Sequence, residues 1–279
     1  MNVIEFSAAV AVCSFGAGLL GSLTGLGGGV VLVPLLTLVF GVDLRYAIGS
    51  SLVSVIATSS GAASAYVKEG FSNLRVGMFL EIATSIGALT GAYLATHIST
   101  KWIAIIFGLV LLYSAVQSFR SPERGGGKPA QPNKIATFLK LDSTYPTQKG
   151  LESYRVQGVP LGFGLMVGAG ALSGLLGIGS GAMKVLAMDR AMRLPFKVST
   201  TTSNFMIGVT AAASAGIYFS RGYIDPGLSM PVMLGVLAGS FAGSKLLVRA
   251  QVGTLRLVFG LVILLMAGEM IYNGMAGKI

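Results

Sequence analysis

Charge is scarce in this sequence, because only 11% of its 279 residues are Asp, Glu, Lys or Arg. Soluble domains carry about 25% charged residues, so this composition argues against a soluble globular fold. Long apolar runs recur from end to end, and the mean hydropathy is +0.77. We therefore predict an all-α polytopic membrane protein, since a transmembrane barrel would show short alternating strands instead.

Reactive side chains are equally scarce, with one cysteine and one histidine in the chain. Cys13 therefore has no partner for an intrachain disulfide. The sequence contains no zinc-protease, phosphate-loop or serine-centred catalytic motif. We therefore expect neither an enzyme nor a bound metal or cofactor, and a transport ATPase is disfavoured.

The net charge of +10 comes mostly from basic residues that flank the apolar segments. Such residues orient a membrane protein against anionic lipid headgroups. The expected partners are therefore the lipid bilayer and a small substrate rather than nucleic acid. The sequence leaves a homodimer open.

The chain matches itself when it is shifted by 152 residues. Between 16–112 and 168–264, 23 of 97 positions are identical without a gap. GLGGG at Gly25–Gly29 aligns with GIGSG at Gly177–Gly181, and FGLV at 107–110 aligns with FGLV at 259–262. Many secondary transporters are built from internal repeats of this kind.

Each half divides into the same pieces. We predict a first transmembrane repeat at 1–119, a polar and basic cytoplasmic connector at 120–157, and a second repeat at 158–279. Each repeat holds a helix pair broken by glycines and three long transmembrane helices, which gives eight to ten membrane segments. The predicted helices span 4–21, 29–41, 48–66, 74–94 and 101–119 in the first half, then 158–175, 181–189, 201–219, 227–248 and 254–272. In the connector, TFLKL and ESYRV are predicted to pair as a hairpin around DSTYP.

The distribution of basic residues distinguishes parallel from inverted repeats. If each broken pair turns back on itself, each half crosses the membrane an odd number of times and the halves are inverted. With the connector inside, that arrangement places 15 basic residues inside and 4 outside, whereas parallel halves give 11 and 8. The positive-inside rule favours inversion.

The two glycine clusters are predicted to be non-helical turns that meet near the middle of the membrane. Glycine tolerates positive φ and lets backbone approach a ligand, and exposed N–H groups at helix starts favour an anion. The alternative is that these glycines only allow close helix packing. The predicted substrate-binding residues of the two turns are Gly25, Gly27, Gly28 and Gly29 in the first half, and Gly177, Gly179, Ser180 and Gly181 in the second.

Three further features are candidates for the site. Ser50 and Ser51 align with Thr202 and Ser203, next to Asn204, and these polar groups either cap helix starts or bind substrate. Lys184 follows Gly181 by three residues and either binds the anion or extends to the membrane surface. Glu81 lies inside an apolar helix and either carries a proton or has a partly solvated structural role.

The stretches GLGGGVVLVP…AIGSSL and LSGLLGIGSGAMKVLAM…LPFKVSTTTSNFMIG resemble the TauE/SafE family of sulfite and organosulfonate exporters. The resemblance covers nearly the whole chain except the connector. It implies a multi-pass secondary transporter of the bacterial inner membrane, exporting sulfite, a sulfonate or a related sulfur-containing anion. Coupling to protons is expected; a passive anion channel and an accessory membrane protein are the alternatives.

Overall fold

The computed structural model describes residues 2–24, 28–68, 72–119, 133–147, 150–247 and 252–278. Helices dominate these ranges, as expected for an all-α membrane protein. The helices are α1 (Val3–Thr24), α2 (Gly29–Pro34), α3 (Leu44–Lys68), α4 (Leu74–His97), α5 (Thr100–Phe119), α6 (Lys134–Phe138), α7 (Val159–Leu176), α8 (Gly181–Leu186), α9 (Phe196–Ser220), α10 (Pro226–Leu247) and α11 (Val252–Met275). Helices α2 and α8 continue as π-helical segments, Leu35–Val39 and Ala187–Ala191.

The helix bounds of the two halves follow the 152-residue shift. Helix α2 with its π-helical segment and helix α8 with its segment start and end at positions that differ by 152. The first and last residues of α3 and α9 also differ by 152. Helices α3 and α9 begin at Leu44 and Phe196, earlier than the predicted starts at 48 and 201. The polar residues of GSSL and TTSN therefore lie inside these helices, and their interpretation as helix caps is wrong.

Each glycine-broken pair turns back on itself. In the first half, Phe6 near the start of α1 packs edge-on against Phe40, just beyond the π-helical segment, with ring centroids 5.8 Å apart. In the second half, the backbone N–H of Gln157 donates to the carbonyl of Met192, at 3.0 Å. In both halves the short helix thus returns to the end of the molecule where the preceding long helix began.

Corresponding long helices of the two halves run in opposite directions. Tyr46 near the start of α3 packs against Tyr223, just beyond the end of α9, with ring centroids 5.6 Å apart. Farther along, Ser59 of α3 lies against Gly208 of α9. Helices α5 and α11 also cross antiparallel, because Gly274 near the end of α11 lies against the start of α5. Antiparallel corresponding helices are what inverted repeats require.

Small residues allow close contact in two helix pairs, α1 with α10 and α4 with α7. Gly87 and Gly91 of α4 lie directly against the backbone of Val167 and Ala171. Any side chain at these glycines would collide with backbone, so they allow the close packing common in membrane helices. In the described residues, four helices are long and apolar enough to cross a membrane: Val3–Gly21, Leu74–His97, Val159–Leu176 and Pro226–Gly243.

The described part of the connector packs against the start of α4. Strands β1 (Ser143–Thr147) and β2 (Gly150–Tyr154) pair antiparallel. The predicted hairpin was therefore misplaced: Thr137 and Phe138 of TFLKL end helix α6, and most of DSTYP forms β1 rather than the turn. The amide of Asn73 donates to the carbonyl of Leu141 and to the phenol oxygen of Tyr154, both at 2.8 Å. Burial raises the pKa of this phenol, which keeps it neutral.

Cysteine labelling tests the inversion in a membrane. In a background with Cys13→Ala, we expect Asp43→Cys and Phe196→Cys to react with a membrane-impermeant maleimide from opposite sides. Both positions are exposed, Asp43 directly precedes α3, and Phe196 begins the corresponding helix α9. Lys101→Cys is the control and should react from the side of Asp43, since Arg45 bonds the carbonyl of Ile98 beside it. Labelling of Asp43→Cys and Phe196→Cys from one side would contradict inversion.

Candidate functional site

The second glycine turn is built from left-handed backbone. Gly177 and Gly179 have φ of +67° and +70°, and Ser180 has φ of +42°. Residues with a side chain rarely adopt this conformation, so the glycines are required here. The Ser180 hydroxyl donates to the carbonyl of Ala169 at 2.6 Å, which offsets part of the strain at this residue. The Ser180 hydrogen bond thus ties the turn to helix α7.

The first glycine turn is described from Gly28 onward. Gly28 has right-handed φ and ψ of −63° and −22°. Its carbonyl accepts from the N–H groups of Val31 and Leu32, at 3.2 and 3.0 Å, and so begins helix α2. The predicted residues Gly25 and Gly27 lie outside the described residues. The described parts of the two turns thus differ in backbone conformation despite their alignment.

The two turns meet where helix α3 passes between them. The hydroxyl of Ser51 donates to the carbonyl of Gly177 at 2.8 Å. A Cβ on Gly29 would lie 2.7 Å from that hydroxyl oxygen and 3.1 Å from the same carbonyl. On α9, the hydroxyl of Ser203 likewise donates to the carbonyl of Gly181, at 3.2 Å. Gly29, Ser51 and Gly177 therefore form one contact cluster between the halves.

Two of the predicted polar residues, Ser50 and Thr202, contact partners away from the glycine turns. Ser50 pairs with Ser229 of α10, with the two hydroxyl oxygens 3.1 Å apart. Thr202 accepts from the backbone N–H of Asn73 at 3.0 Å, and this bond ties α9 to the loop before α4. Asn204 is half-buried on α9. The contacts of Ser50 and Thr202 hold helices together rather than face the meeting turns.

Lys184 is fully buried on α8, with 0% of its surface exposed. Its ammonium donates to the hydroxyl oxygen of Thr210 on α9, at 2.6 Å. The side chain therefore points into the protein, and the alternative in which it extends to the membrane surface is wrong. The amino group of Lys184 is therefore held inside the protein, one turn beyond the Gly181 helix start and beside the second glycine turn.

Glu81 meets the same hydroxyl from the other half of the chain. Its Oε1 lies 2.7 Å from the Thr210 hydroxyl and also accepts from Ser85, at 3.2 Å. Its Oε2 is buried and has no hydrogen-bond partner among the described residues. Glu81 is 7% exposed, so the alternative of a partly solvated role is wrong. One threonine thus joins a buried lysine to a buried glutamate.

Sequence reasoning identified Lys184 and Glu81 but missed Thr210. One signal was available, because Thr210 aligns with Thr58 across the repeat and is identical to it. The charged partners have no such counterparts: Leu32 aligns with Lys184, and Met233 aligns with Glu81. The threonine therefore recurs in the alignment of the two halves, whereas the lysine and the glutamate do not.

The arrangement places a buried lysine and a buried glutamate beside backbone turns. Attraction between a buried charge and an anion is screened less there than in water. Non-helical backbone at membrane depth is tolerated where protein or a water-filled cavity surrounds it. A polytopic helical protein with paired broken helices and buried charged groups has the architecture of a membrane transporter.

Comparison with known proteins agrees with this class. The family model for the sulfite exporter TauE/SafE matches residues 10–270, and the chain belongs to this family. A probable membrane transporter protein of Bacillus subtilis, YunE, is 27% identical over 265 residues, covering 92% of this chain and 94% of the relative.

Two further relatives carry the same description. The probable membrane transporter protein YdhB of Bacillus subtilis is 27% identical, covering 79% of this chain and 82% of its own. The probable membrane transporter protein MJ0441 of Methanocaldococcus jannaschii is 24% identical, covering 84% of each chain. No solved structure matches the chain.

Proposed function

We propose that the protein is a proton-coupled secondary transporter of a small anion. The substrate is sulfite, a sulfonate or a sulfur-containing organic acid, bound between the two halves near the middle of the membrane. The direction is export, and the membrane is the bacterial inner membrane. The family description, sulfite exporter, supports the substrate class.

The observation that carries the proposal is the buried ammonium of Lys184 beside the second glycine turn. A charge inside a membrane protein is costly and marks a substrate or ion pathway by default. A sulfonate or sulfite offers three oxygens, which suit an ammonium donor and nearby hydroxyl groups. The contact cluster of Gly29, Ser51 and Gly177 lies where both short helices begin, so movement of either helix would alter the site.

Purified protein in proteoliposomes tests the function. Liposomes preloaded with an unlabelled anion should take up the labelled anion by exchange, in a panel of sulfite, methanesulfonate, sulfoacetate and acetate. A carrier gives uptake that saturates and is accelerated by anion on the opposite side. Uptake that grows linearly with concentration and shows no such acceleration would indicate a channel. Absence of exchange for every anion would contradict the proposal.

A further inference from the structure

The three side chains Lys184, Thr210 and Glu81, hereafter the charge relay, form one enclosed unit between the halves. Lys184 and Thr210 are 0% exposed, and Glu81 is 7% exposed. The hydroxyl of Thr210 contacts the lysine ammonium at 2.6 Å and the glutamate oxygen at 2.7 Å. With lysine charged and glutamate ionised, the unit is electrically neutral.

We propose that Glu81 takes up one proton in the step in which Lys184 pairs with the anion, so that one proton travels with each anion. This inference rests on the proposed function and assigns its coupling to named atoms. The carboxylate of Glu81 becomes a carboxylic acid, and the proton comes from the solution to which the site is open. No other bond is formed or broken.

Charge neutrality provides the reason. A buried charge that has lost its partner is strongly unfavourable. When the lysine pairs with an anion, Glu81 is left as a second negative charge in the same enclosure. Protonation removes that charge, so the anion and the proton favour each other's binding. By linkage, each raises the affinity of the other by the same factor.

The geometry of the charge relay allows this exchange of partners. Besides Glu81, the Thr210 hydroxyl has a second acceptor in the carbonyl of Met206, at 2.8 Å. The threonine can therefore keep a hydrogen bond when Glu81 no longer needs a donor. Oε2 of Glu81, which has no partner among the described residues, is the oxygen open to the proton. An ionised oxygen without a donor is costly in a buried position, and protonation relieves that cost.

Lys184 reaches Glu81 through the Thr210 hydroxyl that both contact. Helix α7, which packs along α4, has no ionisable side chain, and α9 carries only Lys197 and Tyr218, near its two ends. On α4 itself, the other ionisable residues are Arg75 near the start and Tyr93 and His97 near the end. Beyond α8, Asp189 and Arg190 lie in the π-helical segment. In the described connector, Lys140 accepts a bond from Arg75 through its carbonyl, and Tyr154 accepts one from Asn73.

The single occurrence of the charge relay sets the stoichiometry. At the corresponding position of the other half, Leu32, Thr58 and Met233 provide no charge. One carboxylate binds one proton, so a monoanion is carried without net charge, whereas a dianion such as sulfoacetate carries one negative charge across. Net export then occurs when the outward gradient of the anion exceeds the inward gradient of protons.

Accumulation driven by a pH gradient tests the inference. The probe is labelled methanesulfonate, which stays ionised at neutral pH, or sulfite if only sulfite is exchanged. With the liposome interior one pH unit more alkaline, wild-type protein should accumulate methanesulfonate about tenfold, because a tenfold proton ratio balances a tenfold anion ratio. Glu81→Gln should still exchange the anion but show no accumulation. Glu269→Gln, which alters an exposed glutamate, is the control and should accumulate like wild type.

A second variant covers the case in which Glu81→Gln fails to fold. Thr210→Val keeps the shape and removes the hydroxyl that joins the charges, so accumulation should fall several-fold relative to exchange. Thr58→Val, at the corresponding position of the other half, should leave the ratio unchanged. Full accumulation by Glu81→Gln or Thr210→Val would overturn the inference and leave the proposed function intact. Exchange without accumulation by wild type would overturn both the inference and the proposed proton coupling, and would leave anion transport intact. Absence of exchange in wild type would overturn the inference and the proposed function.

Discussion

Replacement of Lys184 by methionine is expected to raise the KM for the transported anion tenfold to hundredfold. Methionine keeps the length of the side chain and removes the buried ammonium that bonds Thr210. A hydrogen bond to a charged group contributes about 1.5–3 kcal/mol, which corresponds to roughly that change in affinity. The measurement is the KM for exchange of sulfite or methanesulfonate in proteoliposomes.

Two companion variants separate binding from folding. Lys184→Met leaves Glu81 as a buried charge without its cation, so the double variant Lys184→Met/Glu81→Gln should recover any lost thermal stability but not the KM. Lys101→Met removes an exposed lysine at the start of α5 and should change neither property. A KM for Lys184→Met equal to that of wild type would show that the ammonium does not bind the anion.

The starts of the short helices could be predicted from sequence because a glycine cluster precedes each of them. Helices α2 and α8 begin at Gly29 and Gly181, as predicted, and the left-handed backbone before α8 explains why it has a defined first residue. The starts of α3 and α9 were placed too late. The prediction began these helices at Ile48 and Thr201, after the charged residues, whereas the structure begins them at Leu44 and Phe196 and so includes Arg45 and Lys197 in the first turn.

The partners of the site residues could not be predicted, because they lie on helices far apart in the chain. Lys184 and Glu81 were each identified by the cost of a charge in an apolar segment. Their connection depends on the packing of α4 and α8 against α9, which no local pattern encodes. Thr210 is one of many hydroxyl residues on α9, and its identity with Thr58 across the repeat does not reveal its place between the two charges.

The polar residues of GSSL and TTSN also bond partners that could not be predicted from the sequence. Alignment across the repeat indicated a shared role for Ser50 and Thr202, which align with each other, yet the two residues bond different partners, Ser229 and Asn73. Only their neighbours Ser51 and Ser203 reach the glycine turns, through carbonyl oxygens. Side-chain direction on a helix changes by a large angle from one residue to the next, so neighbouring hydroxyl groups face different surroundings.

Replacement of Gly177 by alanine is expected to lower thermal stability and abolish exchange. The residue has φ of +67°, which costs about 1 kcal/mol or more for a residue with a Cβ. The added Cβ would also lie 2.7 Å from Cγ2 of Ile48 and 3.0 Å from the carbonyl oxygen of Ile48. Because the Gly177 carbonyl accepts the Ser51 hydroxyl, any shift of this turn also separates the two halves at their contact cluster.

Gly168→Ala, on the helix α7 that ends directly before Gly177, is the matched control. A Cβ at Gly168 would meet nothing within 4 Å, so alanine should stabilise helix α7 slightly, by up to about 1 kcal/mol. The melting temperature in detergent should therefore fall for Gly177→Ala and rise slightly for Gly168→Ala. Exchange in proteoliposomes should be lost in Gly177→Ala and kept in Gly168→Ala. If Gly177→Ala melts and exchanges like wild type, the left-handed turn is not required and the contact between the glycine turns does not position the site. If it is less stable but still exchanges normally when folded, the turn contributes to stability alone, and the anion position must depend on Lys184 without the turn.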